Sequence, residues 1–335
     1  MPPHAGEEDQ VIQECTDLQL RTRCAPVERV RPDPSEMSTA DLEARAITDL
    51  VSTSSLPRLP SGTVDRTTMT GIEQTRQRAI LDPRTAAERF RLDHEPAPAD
   101  LTPFVDGYWI LHWDLTEPHR QQVLTHPVVH LTFTTGGQAH ITGIVSDTFT
   151  REISGTGRAL GLRFRPGGFR PFLTAPVSTL TDRVLDIEEI FGPAAWAAAD
   201  AIITEPCVPT ALHLAATLLR DFRPTPDPAI DKAARLVETI SADPAVLRVS
   251  HLAAIADMSV RQLQRLFAEY VGIGPKWVIR RARMQEAAAR AATDPQNWSA
   301  LAAELGYADQ AHFTRDFTAS IGTSPARYAS SAGRR

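Results

Sequence analysis

The chain has 335 residues, of which 42% are hydrophobic, enough for two packed domains and a further segment. No apolar run approaches the roughly eighteen residues of a membrane span, and the N-terminus lacks the basic start and apolar stretch of a signal peptide. These features predict a cytoplasmic protein with no membrane partner. The three cysteines, Cys15, Cys24 and Cys207, lack metal-binding spacing, so no zinc or other metal site is expected.

The net charge of −6 argues at first against a nucleic-acid partner, but the charge is unevenly distributed. Residues 228–335 contain 14 Lys and Arg against 10 Asp and Glu, a balance of +4, which leaves −10 for the rest of the chain. Many of these arginines fall between Arg261 and Arg290. A solvated helical surface often has such a balance, so the charge indicates where DNA would bind without deciding whether it does.

The first 70 residues are rich in Pro, Ser, Thr and mixed charge, with no sustained apolar periodicity. A segment of this composition cannot bury enough apolar surface to offset the entropy of ordering, so we predict a disordered tail. The alternative is that Met69 is the true start and that the preceding codons are misassigned.

Residues 79–222 have the pattern of a mixed domain. Short β-type runs separated by glycine-containing turns predict strands at 104–113, 128–133, 139–145 and 159–165. Helical patterns follow at 186–191 and 194–220, and a Pro-rich linker occupies 223–228. We therefore predict an α+β middle domain of short antiparallel strands with C-terminal helices.

Two signals in the middle domain suggest other chemistry and are set aside. The Gly-rich segment 155–161 resembles a phosphate loop, but it precedes a strand and opens no helix, so a turn is favoured. His126, His130 and His140 suggest a metal site, yet no carboxylate follows at a supporting spacing. Because no nucleophile with a base or paired carboxylate site is evident, we expect neither an enzyme nor a cofactor.

The remaining residues, 229–332, have a helical pattern throughout and contain an internal repeat. The segment 251–254 aligns with 300–303 at an offset of 49, and one extra residue in the second turn makes the later offset 50. At that offset the repeat pairs Leu263 with Phe313, Arg265 with Arg315, Phe267 with Phe317, Gly272 with Gly322 and Pro275 with Pro325.

Each copy has the start and stop residues of two helices joined by a tight turn. In the first, Ser259 is placed to cap the second helix, Gly272 to end it and Pro275 to begin the next. In the second, Gly306 ends the first helix and Asp309 caps the second. Helix pairs of this kind are helix-turn-helix units, whose second helix enters the major groove of DNA.

The outward faces of the two second helices have the side chains that DNA reading requires. Arginine can bond guanine bidentately, glutamine suits adenine, and alanine or the threonine methyl can contact thymine. An ordinary solvated helix surface is the alternative for any one position, but it is less favoured for the paired set. The predicted DNA-reading residues are Arg261, Gln264 and Arg265 in the first unit and Gln310, Ala311, Thr314 and Arg315 in the second.

The segments 259–267, 306–317 and 322–328 resemble the DNA-binding domain of the AraC/XylS family of transcription regulators. The resemblance implies an all-α domain of seven helices, in which a long helix near 275–292 holds the two units together. It also implies, by position in the family's motifs, that the seven residues named above read DNA. One departure is Asp257-Met258 in the first turn, where the family more often has glycine, which puts the turn geometry in question.

The segment from Phe90 to Phe191 resembles an uncharacterised sensor-type domain that precedes such DNA-binding domains in actinobacterial regulators. Together the resemblances imply a transcription regulator whose partner is double-stranded promoter DNA. The middle domain would then respond to a small-molecule effector or form a homodimer. A ligand-independent regulator, whose middle domain dimerises or contacts RNA polymerase, stays open, and an enzyme with a helical accessory domain is least favoured. Activator and repressor roles, the effector, its binding residues and the operator are left open.

Overall fold

The computed structural model describes residues 80–81, 83–222, 224–293 and 297–332. The segment 1–70, for which we expect disorder or a misassigned start, lies outside these residues. Among the helices within the described ranges, none is long and apolar enough to cross a membrane.

The middle domain is built on one six-stranded sheet in which every neighbouring pair is antiparallel. A short helix, α1 (Pro83–Arg89), precedes it, and the strand order is β1-β2-β5-β3-β4-β6. The strands are β1 (Phe90–Glu95), β2 (Val105–Val123), β3 (His130–Thr134), β4 (Gln138–Thr142), β5 (Phe149–Phe164) and β6 (Val184–Asp186). The predicted α+β class is confirmed.

Two of the strands are much longer than predicted, because β2 has 19 residues and β5 has 16. Beyond Leu115, the second half of β2 pairs with the first half of β5 as far as Val123 and Phe149, and these segments are called the outer halves. The register of the pairing is irregular between Leu115 and His119. Pro118, which has no N–H to donate, falls within that irregularity. Polar and charged residues predominate in the outer halves, which conceals the apolar alternation that identifies a strand.

Three helices follow the sheet: α2 (Ile187–Phe191), α3 (Ala195–Thr204) and α4 (Val208–Asp221). The single helix predicted at 194–220 is wrong. The chain leaves the helix at 205–207, where Pro206 lacks the N–H and restricts the residue before it. Helix α2 has a capping box, in which the backbone N–H of Asp186 donates to Glu189 Oε1 at 2.9 Å.

The C-terminal part has seven helices in the residues that the structure describes, as the family resemblance implies. They are α5 (Pro228–Ala242), α6 (Val249–Ile255), α7 (Val260–Leu266), α8 (Pro275–Thr293), α9 (Trp298–Glu304), α10 (Gln310–Ile321) and α11 (Pro325–Ala332). Helix α8 is the expected long helix. An unpredicted π-helical segment, Phe267–Val271, extends α7 as far as Gly272.

The middle domain and the helical region share apolar cores. Leu81 and Leu124 belong to the same buried cluster as Phe313, Phe317 and Ile321 of the second unit. On the other side, Ile230 of α5 joins the core of the middle domain, with Tyr270 and Trp277 packed against it. Since a fully buried leucine contributes about 1.5–3 kcal/mol, these shared contacts are large enough to hold the two parts together.

Candidate nucleic-acid interface

The first helix-turn-helix unit consists of α6 and α7, and its inner face is apolar. Leu252, Leu263 and Phe267 are completely buried in one cluster. Ser259 caps α7 as predicted, because its Oγ accepts from the backbone N–H of Gln262 at 3.2 Å. The Gln262 side chain accepts in return from the backbone N–H of Ser259 at 2.8 Å, which completes a capping box.

The outer face of α7 presents the three residues predicted to read DNA. Arg261, Gln264 and Arg265 are exposed. Val260, at the first position of the helix, is also 40% exposed. The buried face fixes the helix while the polar face stays accessible, as a recognition helix requires.

The second unit, α9 and α10, repeats this arrangement. Phe313, Phe317 and Ile321 are buried, and Asp309 caps α10 by accepting from the backbone N–H of His312 at 2.7 Å. The residues predicted to read DNA lie on the opposite face, where Gln310, Ala311 and Arg315 are exposed and Thr314 is half-buried.

Two of the second-unit side chains contact their own unit. Gln310 Oε1 accepts a 2.7 Å hydrogen bond from Ser299 Oγ of α9, which orients the amide. Arg315 Nε makes a long contact of 3.4 Å to the carbonyl oxygen of Ala311. The structure therefore brings the predicted residues together as one outward face in each unit.

The two turns have the same geometry although only one contains glycine. Asp257 adopts a left-handed conformation with φ 49°, and Gly306, at the equivalent position, has φ 76°. The following residues, Met258 and Tyr307, donate to equivalent carbonyl oxygens, those of Ala253 at 3.0 Å and Ala302 at 2.9 Å. The departure from the family pattern therefore leaves the turn intact, at the cost of a strained backbone at Asp257.

The arginines of α8 stabilise the scaffold and are separate from the outward faces. Arg280 pairs with Asp316 at 3.0 Å, and Arg290 pairs with Glu304 at 2.7 Å. Arg283 donates to the carbonyl oxygen of Leu247 and lies over the ring of Tyr307. The basic cluster seen in the sequence thus has separate parts: Arg261 and Arg265 face outward, whereas Arg280, Arg283 and Arg290 of α8 contact the units themselves.

One face of α8 contacts the middle domain, and sequence reasoning missed it. Trp277 Nε1 donates to the carbonyl oxygen of Ser146 at 2.9 Å, and Arg281 Nη2 donates to the carbonyl oxygens of Ser146 and Asp147, both at 2.9 Å. One turn further on, Gln285 Nε2 donates to the carbonyl oxygen of Leu124 at 3.2 Å. The spacing of four residues between these side chains was the available signal, because it places them on one helix face.

The end of α7 is also held by the middle domain. Thr181 Oγ1 donates to the carbonyl oxygen of Gly272 at 2.6 Å, and Arg170 pairs with Glu269 at 2.6 Å. Gly272 has φ 91°, and a Cβ at this position would lie 2.6 Å from Ile144 Cδ1. Glycine is therefore required here both for the helix end and for the close approach of the middle domain.

The buried surroundings of Arg281 affect its charge. Burial lowers the pKa of the Arg281 guanidinium to about 10, with an opposing contribution from Asp147. The group stays protonated at neutral pH and stacks over the Trp277 ring at 4.5 Å. A protonated, buried guanidinium needs hydrogen-bond acceptors; the 146–147 carbonyls supply them for Nη2, whereas Nη1 is buried without one.

No group of three or more His, Cys, Asp or Glu side chains is arranged to hold a metal ion in the described part of the chain. His130, one of the three histidines considered above, instead accepts a 3.2 Å hydrogen bond at Nδ1 from Trp109 Nε1.

Comparison with protein families matches two parts of the chain. Residues 252–331 match a family described as a helix-turn-helix domain, and residues 93–186 match one described as a domain of unknown function (DUF6597). A curated relative from Haemophilus influenzae, described as an uncharacterized HTH-type transcriptional regulator, is 32% identical over 80 residues. That match covers 24% of this chain and 27% of the relative, so it spans about a quarter of either protein.

Solved structures give more distant likenesses. A transcriptional regulator from Chromobacterium violaceum, described as having an AraC-type DNA-binding domain, is 20% identical and covers 31% of this chain and 94% of that chain, with a TM-score of 0.29. ToxT from Vibrio cholerae is 9% identical and covers 72% of this chain and 97% of that chain, with a TM-score of 0.32.

Proposed function

We propose that this chain, whose C-terminal region is an AraC-type helix-turn-helix domain, is a sequence-specific transcription regulator that binds promoter DNA through both units. The observation that carries the proposal is the pair of outward faces on α7 and α10, each backed by a buried apolar face. A single chain would then contact two major-groove segments about one helical turn apart.

The exposed side chains suggest how each unit reads bases. Arg261 and Arg265 can donate bidentately to guanine, and Gln264 can bond adenine. In the second unit the Gln310 amide is already oriented by Ser299, which reduces the entropy lost on binding a base. The methyl groups of Ala311 and Thr314 can contact thymine, and Arg315 adds a cation that can bond guanine.

The α8 arginines support this function by fixing the units relative to each other. Arg280 and Arg290 reach from α8 to acidic residues of the second unit, and Arg283 reaches to the segment that precedes α6. Two reading helices fixed on one rigid element meet DNA with little loss of conformational freedom. The expected consequence is a site whose two segments have a fixed spacing.

For the middle domain we propose a controlling role, exerted through an effector or through dimerisation. Its β4–β5 loop contacts α8 at Ser146, and Thr181 contacts the end of α7. A change in the middle domain that moved this loop would alter the support of both units. Coupling of this kind is typically about 1–3 kcal/mol, or roughly 5–150-fold in DNA affinity.

A second candidate role is favoured by the shared cores. Because Leu124 lies in the apolar cluster of the second unit, the middle domain would stabilise the DNA-binding region even without a ligand. In that case the protein is a ligand-independent regulator, and its middle domain is a structural support that also contacts a second copy or RNA polymerase.

The experiment that tests the proposed function selects binding sites from random duplex DNA with the full chain. We expect a two-segment consensus, and inserting about five base pairs between the segments should abolish tight binding by turning one segment to the opposite face. Recovery of no consensus would contradict sequence-specific binding. A consensus of one segment, unaffected by the insertion, would show that only one unit engages.

A further inference from the structure

The first residues of the two recognition helices occupy equivalent positions. Val260 begins α7 directly after its cap, Ser259. Gln310 begins α10 directly after its cap, Asp309. Each cap accepts from the backbone N–H of the residue three positions further on, at 3.2 Å in the first unit and 2.7 Å in the second. Both residues therefore lie at the helix end whose side chains contact base edges in helix-turn-helix complexes.

The buried faces of the two helices show that these first residues also point the same way. Leu263 of α7 and Phe313 of α10 are 50 positions apart, and both are completely buried. Because the inward positions coincide at this offset, the outward positions coincide as well. Val260, which is 40% exposed, is thus the counterpart in the first unit of the exposed Gln310.

We propose that Val260 contacts the 5-methyl group of a thymine, at the base pair equivalent to the one where Gln310 reads adenine. The inference rests on the proposed function, since it requires α7 to lie in the major groove. A valine side chain has no hydrogen-bond donor or acceptor, and the thymine methyl is the apolar group on a major-groove base edge. A glutamine instead bonds the N6 and N7 atoms of adenine. The two segments of the site should therefore differ at this base pair.

The arginines of the two outward faces provide the alignment of the segments. Arg265 and Arg315 are identical residues at equivalent positions, and both are exposed. A guanine read by each arginine would occupy the same place in its segment. Val260 and Gln310 each lie five residues before the arginine of their own helix. At the same distance from that guanine we therefore expect thymine in the first segment and adenine in the second.

The first unit already contains an equivalent of the group that orients the glutamine in the second. Ser299, the second residue of α9, donates from Oγ to Gln310 Oε1 at 2.7 Å. Ser250 is the second residue of α6 and is exposed, so it occupies the equivalent position. The side chain of Val260 has no acceptor for its hydroxyl. A single substitution, Val260→Gln, would therefore reproduce in the first unit the serine and glutamine pair of the second.

Thymine and uracil differ only in the 5-methyl group, which permits a direct test of the contact. Each thymine in the first segment of the selected duplex is replaced in turn by deoxyuridine, and binding by the full chain is measured. At one position we expect a loss of affinity of about three- to fivefold, as for one buried methyl group. Val260→Ala should bind the thymine and deoxyuridine duplexes equally at that position. If Val260→Ala lost as much affinity as the unaltered chain at every position, the methyl contact would be overturned.

An exchange of residues tests the base preference itself. Site selection with Val260→Gln should yield adenine in place of thymine at that base pair, and Gln310→Val should yield thymine in place of adenine in the second segment. Ile255→Gln is the matched control, because Ile255 is an apolar residue of α6 that is 46% exposed and lies outside α7. Its consensus should match that of the unaltered chain. All three positions are exposed, so thermal unfolding of the variants should be unchanged.

The outcomes distinguish this inference from the proposed function. If the unaltered chain selects a two-segment consensus and Val260→Gln selects the same one, the role of Val260 is overturned and the proposed function stands. If the unaltered chain selects no consensus, the proposed function is contradicted and the inference with it.

Discussion

The Arg281 guanidinium donates to the carbonyl oxygen of Ser146 at 2.9 Å, which joins the long helix of the DNA-binding region to the β4–β5 loop of the middle domain. The same carbonyl oxygen accepts from Trp277, and Arg281 is only 7% exposed. Two donors, Trp277 Nε1 and Arg281 Nη2, thus share one acceptor within the interface, while Arg281 Nη1 is buried without a hydrogen-bond partner. Because buried polar groups are costly when unpaired, this contact holds the two domains in one arrangement.

Replacing Arg281 should therefore destabilise the protein more than replacing its neighbour. We expect Arg281→Ala to lower the free energy of unfolding by about 2–3 kcal/mol, since it removes two hydrogen bonds from a charged donor to the carbonyl oxygens of Ser146 and Asp147. Arg280→Ala is the matched control, because that side chain is 48% exposed and its pair with Asp316 is worth about 0–1 kcal/mol. Urea denaturation measures both, and equal losses would show that the Ser146 contact contributes nothing.

The strained turn of the first unit gives a prediction of the opposite sign. Asp257→Gly should stabilise the protein by about 1 kcal/mol, because glycine adopts the left-handed conformation without a Cβ penalty. Gly306→Ala should destabilise it, since the position has φ 76° and the new Cβ would lie 2.8 Å from Leu247 Cδ1. Thermal unfolding of both variants checks this, and a destabilised Asp257→Gly variant would contradict the strain.

The shared core predicts that a middle-domain residue controls the stability of the second unit. Leu124→Ala should cost about 2–5 kcal/mol and speed hydrogen exchange in α10 more than in α7. Val129→Ala is the control, because Val129 is buried in the core of the middle domain and is absent from the Leu124 cluster. If both variants left exchange in α10 unchanged, the second unit would be stable independently of the middle domain.

The pKa of His130, a half-buried residue of β3, predicts a pH dependence of stability. Burial, with a smaller contribution from Arg163, lowers the pKa of His130 from 6.5 to about 3. Between these values the unfolded chain binds a proton that the folded chain does not, so stability is complete above about 6.5 and falls as the pH is lowered towards 3. One such proton contributes about 1.4 kcal/mol per pH unit. His130→Gln should flatten the pH profile of unfolding over this window, and an unchanged profile would contradict the assignment.

Local signals predicted the helical region well because several helix ends have a residue with a specific backbone requirement. Ser259, Asp309, Gly272 and Gly306 all occupy the cap or turn positions expected of them. The α+β class of the middle domain was also predictable, from the apolar runs in its inner strand segments. The seven outward residues were found because their neighbours at helical spacing are large and apolar.

The features that were missed depend on contacts between segments distant in sequence. The outer halves of β2 and β5 can be recognised as strands only from their pairing with each other. Strand β1 carries charged residues because it lies at a sheet edge. The four-residue spacing of Trp277, Arg281 and Gln285 places them on one face of α8, but nothing local indicates that Arg281 meets the carbonyl oxygen of Ser146. Local sequence patterns do not encode such pairings.

DNA binding by the Arg265→Ala and Arg315→Ala variants tests most directly whether both units read DNA. On the selected two-segment site, each variant should lose about 1–3 kcal/mol of binding free energy. Each should also relax base preference only in the segment read by its own unit, so the two footprints should differ. Arg89→Ala, which removes an exposed arginine of α1 outside both units, should retain both affinity and base preference. If both reading-face variants bound the site like the unaltered chain, the assignment of α7 and α10 as recognition helices would be contradicted.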